Sequence, residues 1–206
     1  MKVRVPYGGN VMVPKEFWED LAQKDLSLLC EAAGASLDAP SGVVLRFLND
    51  EIRIAVDKRC LQRRNGEVWE LLEYPYLELM VLAYLLQVTH SGIKDEMVGV
   101  MDLKDAHFFQ GPHTIDTIPI VKRYGQDPRG FKKAGRQLGG MSLEMGDAAF
   151  YLNPFPKIPI YYVLWAGDEE FPAKLTILFD RSIELHLPAD AIWGLVGLVS
   201  DALLNV

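Results

Sequence analysis

Thiol chemistry has almost nothing to work with here: 206 residues contain two cysteines, Cys30 and Cys60, and no Cys-x-x-Cys pair. The expectation is two reduced thiols in a cytoplasmic protein, not a disulfide framework. Nucleotide-cradling loops are missing too, since neither a Walker-type sequence nor Gly-x-Gly-x-x-Gly occurs. No Gly-x-Ser-x-Gly elbow is present, and neither cysteine has the sequence context of a nucleophile. Positive charge is in deficit, with 21 Lys and Arg against 28 Asp and Glu, a formal net charge of −7. Duplex nucleic acid and anionic membranes demand a broad basic surface, so neither is expected as the main partner. Long apolar runs are lacking as well. The most apolar window, Tyr76 to Val88, is too short to cross a bilayer and contains Glu78 and Gln87. The start, Met1-Lys-Val-Arg-Val-Pro6, lacks the apolar segment of a signal peptide.

What the chain does have is apolar side chains at 50% of its positions and charge at only 24%, which argues against general disorder. That is enough for one well-filled core and short for two. No internal repeat, low-complexity tract or interdomain linker is visible. The centre is Ile158–Trp165, apolar at nearly every position, followed by an acidic loop and then Lys174–Asp180. The first run reads as a strand buried on both faces. The second sets Leu175, Ile177 and Phe179 on one face and Thr176 and Leu178 on the other, and the two are expected to pair antiparallel.

Around this centre, residues 1–13 read as an extended lead-in turning at Gly8-Gly9-Asn10. Pro14 opens a helix expected to run to Ala33, with Phe17, Leu21, Leu28, Leu29 and Ala32 inward and Gly34 as its stop. Val43–Leu48 and Ile52–Val56 alternate around Asn49-Asp50 as a hairpin, with Arg46 and Arg53 marking a wet face. Lys58–Arg64 reads as a basic connector ending in an Asn65-Gly66 turn, and Val68–Leu72 as a short strand. Pro75 opens a helix apolar almost all round, hence central, expected to end near Ser91-Gly92. Val98, Val100 and Leu103 alternate as a strand would. A short helix over Asp116–Tyr124 is interrupted by Pro119, and Asp127-Pro128 caps another that stops at Gly139-Gly140. Ala148–Leu152 is a strand before a Pro-rich link, Asn153–Pro156. Ser182–Leu187 alternates weakly, and Pro188 opens a last amphipathic helix. The fold class is therefore α+β: a single domain over residues 1–206 whose mostly antiparallel mixed sheet packs against helices.

Three groups of residues carry candidate chemistry. Asp168, Glu169 and Glu170 crowd one loop, with Asp180 at the far end of the next strand. Such carboxylates can serve as a general acid or a hard-metal set, or can form a solvated turn in which Asp168 accepts backbone hydrogen bonds. His107 and His113 flank Phe108-Phe109, with Asp102, Asp105 and Asp116 nearby. They are metal-ligand candidates or ordinary loop histidines over an aromatic patch. Arg129, Lys132, Lys133 and Arg136 fall at i, i+3, i+4 and i+7, so one helical face is cationic, and Lys122 and Arg123 precede it. That face can bind phosphate or an acidic protein surface, or simply be solvated.

At Leu138-Gly-Gly140, Trp165-x-Gly-Asp-Glu-Glu-Phe-Pro-Ala173, Ile177-Leu-Phe-Asp180 and Leu187, the chain resembles an uncharacterised bacterial and archaeal family, domain-of-unknown-function family 3786. The likeness extends from the first helix to the last, with its specific part from Leu138 onward. That family has no settled activity, so the resemblance implies no catalytic residues. Some relatives look as if they add a Cys-rich segment for an iron–sulfur cluster. Two lone cysteines cannot supply four thiolates, so no cluster is expected within this chain. The functional expectation divides between a non-catalytic accessory or small-ligand/anion-binding protein and a metal-assisted or acid–base enzyme. The first would have an unidentified small molecule or protein as partner. The second would use residues 167–173 and the His107–His113 region.

Overall fold

The computed structural model of the protein describes residues 11–40 and 42–206. Most of the expected lead-in, with its Gly8-Gly9-Asn10 turn, lies outside them. In chain order the elements are α1 (Lys15–Ala22), α2 (Leu26–Ala33), β1 (Ser36–Asp38), β2 (Gly42–Phe47), β3 (Asp50–Ala55), β4 (Cys60–Asn65), β5 (Val68–Leu71) and α3 (Pro75–Gln87). There follow β6 (Met97–Val98), three 3₁₀ turns, α4 (Ile118–Tyr124), α5 (Pro128–Gln137), β7 (Met141–Leu143), β8 (Ala148–Phe155), β9 (Ile158–Trp165), β10 (Lys174–Asp180), a 3₁₀ helix (Arg181–Leu185) and α6 (Ala189–Leu204). The α+β class stands. The strands divide between two five-stranded sheets, ordered β1-β2-β3-β4-β5 and β6-β10-β9-β8-β7, and every pairing among the described residues is antiparallel.

In the second sheet β9 is the middle strand, bonded to β8 on one edge and β10 on the other. Ile158 through Leu164 are all buried, the pattern a two-sided apolar run demands. β10 pairs with it from Lys174 opposite Trp165 to Phe179 opposite Ile160. From β9 an aromatic chain runs outward: Tyr162 stacks on Phe150 at 5.6 Å, Phe150 meets Phe131 of α5 at 4.7 Å, and Phe131 meets Tyr124 of α4 at 5.5 Å. Full burial of Phe131 alone is worth roughly 1.5–3 kcal/mol. α5 can lie this close because Gly135 presents no side chain to Phe150.

The first sheet is a meander joined to the second at its β2–β3 tip. There Leu48 N–H donates to the Pro154 carbonyl at 3.1 Å, and the Asn49 amide nitrogen donates to the Gln137 carbonyl at 2.8 Å. Leu48 adopts a left-handed backbone (φ 52°), strain that its buried side chain and this cross-sheet bond offset. α3 lies against both halves: Tyr84 stacks on Phe155 at 4.7 Å and donates its hydroxyl to the Ala33 carbonyl at 2.9 Å. Cys30 (buried in the core, on α2) and Cys60 (half-buried, opening β4) are free thiols.

Several local expectations are corrected. The single helix from Pro14 to Ala33 is two, because the Asp25 carboxylate caps α2, accepting from Ser27 and Leu28 N–H at 2.9 and 3.2 Å. The break turns Leu28 outward. The basic connector Lys58–Arg64 is strand from Cys60 on, as β4. Its inward residue is Leu61, and Arg64 pairs with Glu51 of β3 at 3.0 Å. The Pro-rich link continues β8 through an irregularity between Leu152 and Phe155, where a missing proline N–H is tolerated. α3 stops at Gln87, and of Val98, Val100 and Leu103 only Val98 lies in a strand, β6. Pro119 sits in the first turn of α4 and interrupts nothing. Ser182–Leu187 belongs mainly to the 3₁₀ helix capped by Asp180. An added methyl at Gly135 would lie 2.5–2.7 Å from the Phe150 ring, so Gly135→Ala is expected to cost about 1–3 kcal/mol in chemical denaturation. An unchanged midpoint would show that the ring retreats freely.

Candidate functional site

The loop from Ala166 to Ala173 turns on Asp168. Its Oδ1 accepts from Glu170 N–H at 2.9 Å and from Phe171 N–H at 2.7 Å, while its own N–H donates to the Phe171 carbonyl at 2.9 Å. Those backbone donors from Phe171 and Glu170 hold its carboxyl below the ordinary value. Glu169, Glu170 and Phe171 are exposed. The loop is a hydrogen-bonded, solvated turn.

Asp180 is nowhere near it. The seven residues of β10 place it about 20 Å from the loop, at the strand's other end. Fully buried, it accepts from Lys94 N–H at 3.0 Å, Glu96 N–H at 3.1 Å and Ser182 N–H at 2.9 Å. Burial opposes its charge, but hydrogen bonding from Ser182, Lys94 and Glu96 outweighs it, and the carboxyl sits below its usual range. Asp180 is thus a fastener for the exposed strap 88–97 that follows α3.

His186, to which the sequence reading assigned no role, fastens the same strap. It is fully buried, and its Nδ1 accepts from Thr89 N–H at 3.4 Å, which leaves the proton on Nε2. Lys157 Nζ donates to the carbonyls of Thr89 and Ser91 at 2.9 and 3.1 Å. Burial, and then the Lys157 charge, push His186 down to about 4 against a weaker opposite pull from Asp180. No local pattern announces this. The partners lie far apart in sequence.

His107 is exposed and His113 half-buried, stacked on Phe108 at 4.3 Å and edge-on to Trp193 at 5.4 Å. Among the described residues no three His, Cys, Asp or Glu side chains converge as a metal set.

The cationic helix does assemble. Asp127 caps α5, its Oδ1 accepting from Gly130 N–H at 2.8 Å, with Pro128 in the first turn. Phe131, Ala134 and Gly135 face inward, which turns Arg129, Lys133 and Arg136 to solvent and leaves Lys132 half-exposed. None of the four makes an ion pair among the described residues. Arg129 and Lys132 border an open hollow of about 560 Å³ with Gln126, Asp127 and Asp147. The acidic loop flanks this hollow: Gly167 N–H donates to the Gly125 carbonyl at 3.1 Å, and Ala166 N–H to Asp147 Oδ2 at 2.8 Å. Two candidate groups, the stripe and the 166–173 loop, therefore meet at one place, while Asp180 and the histidines stand elsewhere.

This architecture defines an α+β protein of paired antiparallel sheets with a cationic helix beside an acidic turn. The chain belongs to the family described as Domain of unknown function (DUF3786), whose profile matches residues 25–202. No curated protein and no solved structure matches it.

Two outcomes check the site chemistry. His186 binds its proton more weakly folded (about 4) than unfolded (6.5), so its contribution to stability rises as pH climbs from about 4 to 6.5. Asp201, on α6, is pushed up to about 6 by burial and contributes the opposite slope between about 4 and 6. His186→Gln should remove the first slope from denaturation midpoints across this window and Asp201→Asn the second; unaltered slopes would contradict the assignments. Calorimetric titration with divalent metals should give equal, negligible heats for the parent and for Asp168→Asn with Glu169→Gln, and heats confined to the parent would restore a metal site.

Proposed function

We propose that this protein is a non-catalytic, anion-binding accessory protein that holds a phosphate-bearing small molecule along α5. The observation that carries the reading is the stripe Arg129, Lys132, Lys133 and Arg136, four cations on one helical face without an ion-pair partner among the described residues. Unpaired cations held side by side repel one another, and an incoming anion relieves that repulsion. The stripe spans about 10 Å at the helical rise, a length that suits two or three linked phosphates better than one. Asp127 and Asp147 at the rim of the hollow are each engaged by a backbone N–H, and they bias binding toward the outer stripe. The net charge of −7 supports a small anion over a long polyanion, which would meet repulsion beyond the helix. No helix is long and apolar enough to cross a membrane among the described residues. Free thiols at Cys30 and Cys60 support a cytoplasmic setting.

Titration of the protein with tripolyphosphate at low ionic strength is expected to give saturable heats that weaken as salt is added. Lys132→Glu with Lys133→Glu should abolish them while leaving the thermal midpoint in place, because neither side chain enters the core. Absence of binding by the parent at low salt, where such contacts are strongest, would overturn the reading.

A further inference from the structure

Away from α5, the surfaces of α1, α3 and the start of α6 enclose a cleft of about 310 Å³, within the range that small-ligand sites occupy. It shares no lining residue with the hollow described above. Phe17 of α1, Met80 and Ala83 of α3 and Trp193 of α6 form apolar walls. His113 closes one side, its ring stacked on Phe108 (4.3 Å, 13° between planes) and perpendicular to Trp193 (5.4 Å, 89°). Three aromatic rings that fix one another make a preformed wall, so a ligand would not have to order it. Among the described residues that line the cleft, Asp190 is the one carboxylate, and neither Lys nor Arg is present. Asp190 is exposed on the first turn of α6, one turn before Trp193 and on the same face.

From this combination we infer that the cleft binds a small aromatic amine, its ring against Met80 and Trp193 and its ammonium group paired with Asp190. Each part of that ligand answers a feature of the wall. A flat ring buries apolar area against the indole and the polarizable thioether. The positive charge meets a carboxylate at the mouth and aromatic side chains in the wall, both of which attract cations. A carboxylate of the same shape would instead set like charges together.

The test is a two-dimensional NMR titration with 2-phenylethylamine, read at the Trp193 indole N–H and assigned with Trp193→Phe. Saturable shifts of that resonance are expected from the amine, and weaker ones from 3-phenylpropionate. Asp190→Asn should weaken the amine about threefold, the scale of a solvent-exposed ion pair. Ala83→Trp, which fills the cleft, should abolish binding; if that variant does not fold, Asp190→Asn and the acid analogue carry the decision. No saturable shift at Trp193, equal affinity for the acid and the amine, or full affinity in a folded Ala83→Trp variant would each overturn the proposal.

Discussion

The structure depends on burying β9 on both faces. A strand with Ile158 through Leu164 all withdrawn from water cannot sit at an edge, so β8 and β10 must flank it and helices must cover it. The rest of the second sheet and its helices follow from satisfying that one segment. Tyr162 on its inner face starts the aromatic chain through Phe150 and Phe131 to Tyr124, and this chain fixes the rotation of α5. With Phe131, Ala134 and Gly135 committed inward, the cations at 129, 133 and 136 have nowhere to point but outward. The candidate anion site is thus a consequence of core packing carried to the surface by one helix.

The same strand sets the distances among the acidic residues. β10 returns along β9, so its two ends are separated by the strand's length, and Asp168 and Asp180 take different roles. Asp168 closes a solvated turn at one end; Asp180, with Lys157 and His186, secures the strap 88–97 at the other. Charges brought together by sequence are here kept apart by geometry. Residues distant in sequence form the fastening of the strap.

Periodicity made the secondary elements legible wherever a local pattern decided them. The alternation of Leu175, Ile177 and Phe179, the two-sided run before it, the Asp127-Pro128 start and the i, i+3, i+4, i+7 spacing of the cations all reappear in three dimensions. What escaped is what tertiary contacts decide. β4 carries Arg63 and Arg64 and reads as a connector until Glu51 and Asp50 lie across from it. Asp25 looks like any residue inside a helical window, yet its carboxylate finds two backbone donors and ends one helix to begin another. Phe155, within a Pro-rich stretch, is a strand residue because Tyr84 from a distant helix stacks on it. The way the two sheets are joined rests on Leu48 and Asn49 reaching Pro154 and Gln137, contacts with no local signature. Nor does any motif mark His186, whose burial beneath the strap is fixed by Thr89 and Lys157.

The central claim is that core packing presents α5 as a binding surface for an oligophosphate, and backbone amide mapping tests it most directly. In uniformly ¹⁵N-labelled protein titrated with tripolyphosphate at low salt, the account expects shifts centred on residues 128–136, extending to Gln126 and Asp147 across the hollow. The strap 88–97 and the aromatic cleft should stay unperturbed. Shifts scattered evenly over the surface, or concentrated away from α5, would contradict it.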